Sequence, residues 1–197
     1  MYQIRIHGRG GQGVVTAAEM LSIAAFLKGK HAQAIPSFGS ERTGAPVVAY
    51  CRIDDKVIRL REPVMNPHAL IVQDPTLLHQ VDVFVGLEPE AIVLINSRKT
   101  IKQLGIAELQ QRFPKVRLVT IPATELALQY VGRPLPNAIL LGGFAALSPQ
   151  VTIEGVKNAI DDKFSGKIAL ANKSGADAAY ELLSKVNREE ASHASAN

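Results

Sequence analysis

Apolar and polar residues alternate from Tyr2 to His7, with Ile4 and Ile6 on one face, and the run ends on Gly8-Arg9-Gly10-Gly11-Gln12-Gly13. That pattern predicts a strand closing on a glycine turn. Val14, Ala17, Ala18, Leu21, Ala24 and Ala25 then recur at helical spacing, and Lys28-Gly29 supplies a basic last turn followed by a C′ glycine. The chain therefore opens as strand, glycine turn, helix.

A short strand is expected over His31 to Ile35, followed by a loop from Pro36 to Ala45 and a longer strand over Val47 to Ile53, which Asp54-Asp55 turns into Val57-Ile58 as a hairpin. Short apolar runs follow at Ala69–Gln73, Val81–Val85 and Ala91–Ile95, with a helical turn near Leu77-Leu78. Ile106, Leu109 and Phe113 mark a helix stopped by Pro114, and Val116 to Ile121 reads as a buried strand. Pro122 starts a helix with Leu126, Ala127, Tyr130 and Val131 on its apolar face and Gly132 beyond its end. Ala138 to Leu147 is apolar on every side and carries Gly142-Gly143, the mark of a buried or interface helix that another backbone approaches closely. Ile153, Val156, Ile160 and Phe164 define the next helix, and Ala179, Leu182, Leu183 and Val186 the last.

Continuous apolar strands alternating with helices predict an α/β fold: one domain over residues 1–186, built on a mostly parallel, doubly wound sheet with helices on both faces and a hairpin insertion. Residues 187–197 are expected to form a frayed tail. At 197 residues and 47% hydrophobic composition the chain can bury a full core, and no repeat or Pro/Gly/Ser-rich linker divides it. It lacks the ~18-residue apolar run of a membrane span and the basic and apolar regions of a signal peptide, so a cytoplasmic protein with no membrane partner is expected. The net charge of +4 suits an acidic partner or a polyphosphate, but there is no Lys/Arg cluster and no Trp, which argues against nucleic acid. Cys51, the single cysteine, lies in an apolar stretch and reads as a buried small hydrophobe. One cysteine cannot supply the four thiolates of an iron–sulfur cluster, so any such cluster must lie in another chain.

Gly8 to Gly13 satisfies G-x-G-x-x-G between a strand and a helix, a context that leaves helix N-terminal amides open to a phosphate or carboxylate, with Arg9 adding charge. A tight strand-to-helix turn without a ligand explains the same glycines. A dinucleotide site calls for an acidic residue ~20 positions on, yet no Asp or Glu lies between Glu19 and Glu41. Lys28, Lys30 and His31 leave NADP formally open, while the Walker pattern fails at Val14-Val15. The second polar concentration is the loop Gly39 to Gly44, with Glu41, Arg42, Thr43 and Gly44 as candidate contacts to a ligand or partner, or simply a surface turn. No nucleophile elbow, metal-ligand spacing or paired acid–base carboxylates emerge; His7, His31, His68, His79 and His193 each read as structural, and no catalytic or metal residue is assigned.

His7 to Val15, Gln33-Ala34-Ile35-Pro36, Gly39 to Pro46, Asn137 and Asn172 to Gly175 together resemble the gamma subunit of 2-oxoacid:ferredoxin oxidoreductases, over roughly residues 2 to 185. The resemblance implies a subunit of an enzyme that converts a 2-oxo acid, coenzyme A and oxidised ferredoxin to acyl-CoA, carbon dioxide and reduced ferredoxin. It further implies alpha, beta and delta partners, with thiamine diphosphate and Mg held by the alpha and beta chains and iron–sulfur clusters by beta and delta. The gamma domain is associated with coenzyme A, so the resemblance assigns Gly8, Arg9, Gly10, Gly11, Gln12, Gly13, Glu41, Arg42, Thr43 and Gly44 to the coenzyme path or the partner interface. Arg9 and Arg42 would be its positive contacts. Where many relatives carry Arg-Gly-Gly after the Glu-Arg pair, this chain has Thr43-Gly44-Ala45-Pro46, which looks like the pyruvate branch. A free-standing NAD(P)-binding protein and a structural subunit without a ligand are the alternative readings.

Overall fold

A computed structural model of the chain describes residues 1–36 and 43–194, with side chains through residue 188. The opening alternation forms strand β1 (Tyr2–Arg9), the glycine turn follows, and the helical repeat forms α1 (Val14–Leu27). Next come β2 (His31–Pro36), β3 (Pro46–Asp54), β4 (Ala69–Val72), a 3-10 turn (Pro75–His79), β5 (Ile92–Asn96), a short α2 (Glu108–Arg112) and β6 (Arg117–Ile121). The remainder is helical: α3 (Ala123–Val131), α4 (Asn137–Leu147), α5 (Ile153–Lys163) and α6 (Gly166–Ala194).

The strands form one sheet in the order β2-β3-β1-β4-β5-β6. β1, β4, β5 and β6 pair in parallel, and β3 runs antiparallel to both β1 and β2. The sheet is thus mostly parallel with a hairpin insertion, as the sequence predicts, but the hairpin differs. Its two strands are β2 and β3, joined through residues 37–45, and Val57-Ile58 forms no strand. The reason is topological: β3 already has a neighbour on each side, so no edge is left for a third partner. Asp54 Oδ1 accepts from the amides of Asp55 and Lys56 and turns the chain away instead. Of the three short apolar runs, Ala69–Gln73 and Ala91–Ile95 hold β4 and β5, while Val81–Val85 forms turns, because β5 takes the place beside β4.

One face of the sheet carries Ile4, Ile6, Ala49, Cys51, Ile53, Ala69, Ile71 and Leu94 in a single core with α1, α4, α5 and α6. α4 is buried along nearly its whole length, and it crosses α6 at a point where side chains are nearly absent. A Cβ on Gly142 would collide with the Ala176 carbonyl, so only glycine lets the two backbones approach this closely. Cys51 is fully buried, and burial pushes its thiol up to about 12. α3 departs from its predicted stripe: Ala123 and Ala127 are the buried positions, while Tyr130 is exposed.

The other face is covered unequally. Over β4, β5 and β6 a second cluster joins Leu70, Val72, Val93 and Ile95 to Leu77, Val83, Leu104, Ile106 and Val116, with Leu109 and Phe113 of the α2 region packed against it. Over β1 and β3, the strap of residues 56–67 takes the place of a helix. Beyond Asn187, where a frayed tail is expected, α6 continues as helix through Ala194; Asn187 accepts from Arg117 and donates to the Ala146 carbonyl. No described helix is long and apolar enough to cross a membrane.

Candidate functional site

The chain leaves β1 for α1 and β2 on one side, and β4 adds to the other side of β1. This is the switch point at which open α/β sheets leave a crevice outside the strand carboxyl ends, and the glycine turn lies there. Gly13 is the residue before α1, in the left-handed region at φ 70°, and a Cβ on it would sit 2.5 Å from Asn137 Nδ2. Both features demand glycine. No side chain caps α1, and the first bond of its ladder runs from the Ala17 amide to the Gly13 carbonyl. The amides of the first turn therefore stand at the mouth of the crevice with the partial positive charge of a helix start.

Arg9 does not face this opening as a free cation. Its Nε donates to Asp74 Oδ2 at 3.0 Å, and its terminal nitrogens donate to the Gly44 carbonyl at 3.0 Å, Thr76 Oγ1 at 2.7 Å and Gln80 Oε1 at 2.6 Å. Gln12 completes the bracket by accepting from the Arg9 amide at 2.8 Å and donating to Asp74 Oδ2 at 3.0 Å. Burial alone would raise the Asp74 carboxyl, but the Thr76 hydroxyl and amide, Gln12 and Arg9 together hold it below its usual value. Arg9 thus clamps the glycine turn to the 3-10 turn and to Gly44. Backbone bonds from the Gly10 amide to the Ala45 carbonyl and from the Gly44 amide to the Gly10 carbonyl bring the two predicted motifs together. Thr43 and Gly44 stand beside the turn, whereas Glu41 and Arg42 lie outside the described residues.

Two hollows flank the turn. The larger, about 490 Å³, is lined by Gly11, Gly13 and Thr16 on one side, by Val131, Arg133, Leu135 and Asn137 on another, and by Phe164, Ile168 and Asn172 of the α5–α6 region. The smaller, about 310 Å³, is lined by Arg9 to Gly11, Gly13 to Thr16 and Val47. Polar groups converge on the larger one from apolar walls, the composition of a small-molecule site. Asn137 and Asn172 are almost fully buried at its base, and exposed Arg133 at its rim has no carboxylate partner among the described residues. A separate opening near Tyr2, His68 and Glu88 to Ala91 lies at the opposite end of the sheet.

Sequence reasoning marked the glycine turn but missed Arg133 and Gln73. Gln73, at the end of β4 under Gly8, is 1% exposed with neither side-chain polar atom hydrogen-bonded. Beside it Asn96 donates to the Gln73 carbonyl at 2.8 Å and to Thr124 Oγ1 at 2.7 Å, tying β4, β5 and α3 together. Arg133 sits in a loop with no periodic signal; Gln73 could have been suspected as a polar residue closing an apolar strand. Among the described residues no cluster of three His, Cys, Asp or Glu side chains could hold a metal ion. His7 is buried and kept neutral, its pKa lowered to about 3 by burial and by the nearby Arg5. His68 Nδ1 accepts from the Gln3 amide, and His79 Nε2 bonds the Leu104 carbonyl.

A family model described as pyruvate ferredoxin/flavodoxin oxidoreductase matches residues 3–182. The chain is 45% identical over 181 residues to the pyruvate/ketoisovalerate oxidoreductases common subunit gamma of Pyrococcus furiosus, covering 92% of this chain and 96% of that one. It is 47% identical over 186 residues to the pyruvate synthase subunit PorC of Methanocaldococcus jannaschii, covering 94% and 99%. Among solved structures, pyruvate oxidoreductase subunit PORC from Thermotoga maritima superimposes with a TM-score of 0.78 at 34% identity over 91% of this chain and 95% of that chain. The same fold occurs within the 2-oxoglutarate:ferredoxin oxidoreductase of Magnetococcus marinus, solved with 2-oxoglutarate, coenzyme A and succinyl-CoA bound. There the TM-score is 0.74 at 17% identity, over 94% of this chain and 31% of that one.

Proposed function

Since the chain belongs to the pyruvate ferredoxin/flavodoxin oxidoreductase family, we propose that it is the gamma subunit of a cytoplasmic 2-oxoacid:ferredoxin oxidoreductase, of the pyruvate synthase type, and lines the path of coenzyme A. The observation that carries the subunit reading is identity of 45% and 47% to two gamma-type subunits over nearly their entire lengths. The alpha, beta and delta chains hold thiamine diphosphate, Mg and the iron–sulfur clusters in this reading, and ferredoxin is the acceptor of the complex. A single buried cysteine in this chain accords with that division.

Within the complex the chain's own residues would bind and orient. The open amides of the first turn of α1 and the Arg133 guanidinium offer positive ends to phosphate oxygens. Thr16 and the two buried carboxamides offer polar partners inside apolar walls. Arg9 holds the turn in shape and, with its donors engaged, acts on a ligand only through that shape. The NAD(P) reading is not favoured, since the relatives matched over nearly their whole length are oxidoreductase subunits; the acidic residue an NAD site expects is also absent from β2, which reads His31-Ala32-Gln33-Ala34-Ile35-Pro36. The test is affinity purification of the tagged chain from its native anaerobic lysate, with pyruvate-dependent viologen reduction measured with and without coenzyme A. Co-purifying iron–sulfur and thiamine-binding chains with coenzyme-dependent activity is the expected result; a lone, inactive chain would overturn the proposal.

A further inference from the structure

The strap of residues 56–67 covers β1 and β3 with only Val64 and Pro67 buried among its apolar side chains. It is held from beneath by two arginines. Arg5 on β1 donates to the carbonyls of Val64 at 3.5 Å, Val83 at 2.8 Å and Val85 at 2.7 Å, so one guanidinium binds the strap and the 81–86 turns into a single surface. Arg52 on β3 donates to the carbonyls of Glu62 at 2.6 Å and Pro63 at 3.3 Å and to Gln3 Oε1 at 3.2 Å. Asn66 adds a bond to the Gly86 carbonyl.

What this surface turns outward is unusual for a water-facing strap. Val57 and Met65 are each 67% exposed, Leu60 46% and Val85 54%. Val57, Leu60 and Met65 lie on the strap itself, and the Arg5 guanidinium that binds the Val64 carbonyl also binds that of Val85; exposed apolar side chains gathered on one surface mark interaction sites. The charge around them is predominantly positive, with Glu62 and Asp82 as the acids of the strap and the adjoining turns. Lys56, Arg59 and Arg61 are exposed and make no ion pair among the described residues, and beneath them Arg5 and Arg52 are buried with no carboxylate in ion-pair distance. Glu62 and Asp82 are the acids whose charge reaches the two buried guanidiniums, and both stand outside that distance. One nitrogen of each buried guanidinium also lacks any acceptor. A surface with an apolar centre and an excess of positive charge fits a protein face with apolar side chains ringed by carboxylates.

We propose that the strap and the adjoining turns, centred on Val57, Leu60, Met65 and Val85 and flanked by Arg59 and Arg61, form the surface on which this chain docks an acidic face of another subunit of its oxidoreductase. This rests on the subunit reading above, and it assigns assembly to the sheet face opposite α1, leaving the glycine-turn crevice open.

The test compares the tagged full chain with its Arg59→Glu/Arg61→Glu variant and a Met65→Asp variant, each expressed with its native partners, with Lys99→Glu/Lys102→Glu as a charge-matched control elsewhere. Thermal midpoints and circular dichroism establish that each variant folds. The expected result is about a tenfold or greater loss of co-purifying oxidoreductase subunits for both strap variants, and none for the control. Unchanged recovery with folded strap variants, while the unsubstituted chain recovers its partners, overturns the docking surface and leaves the subunit reading standing. An unsubstituted chain that recovers no oxidoreductase subunit overturns both. A chain that dimerises through the strap in sedimentation, with strap variants monomeric and still assembled with other subunits, also overturns the proposal, since a second copy would be the occupant.

Discussion

The two faces of the sheet are stabilised by different physics. Against α1, α4, α5 and α6 the sheet presents Ile, Ala and Cys side chains, and at the α4–α6 crossing the helices meet backbone to backbone. Against the strap it presents Gln3, Arg5, His7 and Arg52, and the cover is held by guanidinium-to-carbonyl bonds. Close apolar packing tolerates almost no change of shape. Hydrogen bonds to a strap are worth about 1–3 kcal/mol each when charge-assisted, and they can be remade with another geometry or another partner. The difference places rigidity under the glycine-turn crevice and adaptability on the face where a neighbouring chain would dock.

The comparison breaks most directly at Gly142. Gly142→Val drives a branched side chain into the Ala176 backbone, and because main chain cannot rotate aside the expected loss is about 3 kcal/mol or more, read by urea unfolding. A cost below about 1 kcal/mol would mean that the helical face yields as readily as the strap.

A smaller effect separates the faces by pH. His7, on the strap side, is held near pKa 3 in the fold against 6.5 when unfolded, so the unfolded chain takes up the proton first. The contribution of His7 to stability is full above pH 6.5 and is lost as pH falls toward 3. At about one kcal/mol per pH unit or slightly more, the native chain should lose about 2 kcal/mol from this residue between pH 6.5 and 5, and His7→Leu should remove that slope. An identical slope in the variant would show that His7 is not desolvated in the fold.

How much of this was legible in the sequence follows the same division. The helical face was readable because its signals are local and periodic: the α1 repeat, the Gly142-Gly143 pair inside an apolar helix and the short apolar strands each announce their own burial. The glycine turn was legible because positive φ and close approach leave a glycine signature. The strap was not, because what fixes it is long-range. Nothing within Val57-Ile58 says that β3 is already paired on both edges, and nothing near Arg5 says that its guanidinium will collect carbonyls from residues 64, 83 and 85. The bonds that engage Arg9 were illegible for the same reason, since its partners Asp74, Thr76 and Gln80 lie more than sixty positions away. The spacing of a motif gives its shape, and the side-chain bonds that occupy it come from the rest of the fold.

The measurement that bears most directly on the central claim is the Michaelis constant for coenzyme A in the assembled oxidoreductase carrying Arg133→Ala. If the crevice beside the glycine turn lies on the coenzyme path, that constant should rise about tenfold, the scale of one charge-assisted contact, while the constant for the 2-oxo acid and the turnover at saturation stay unchanged. A complex that assembles normally and shows the native constant for coenzyme A would contradict the account and leave the glycine turn as a structural element.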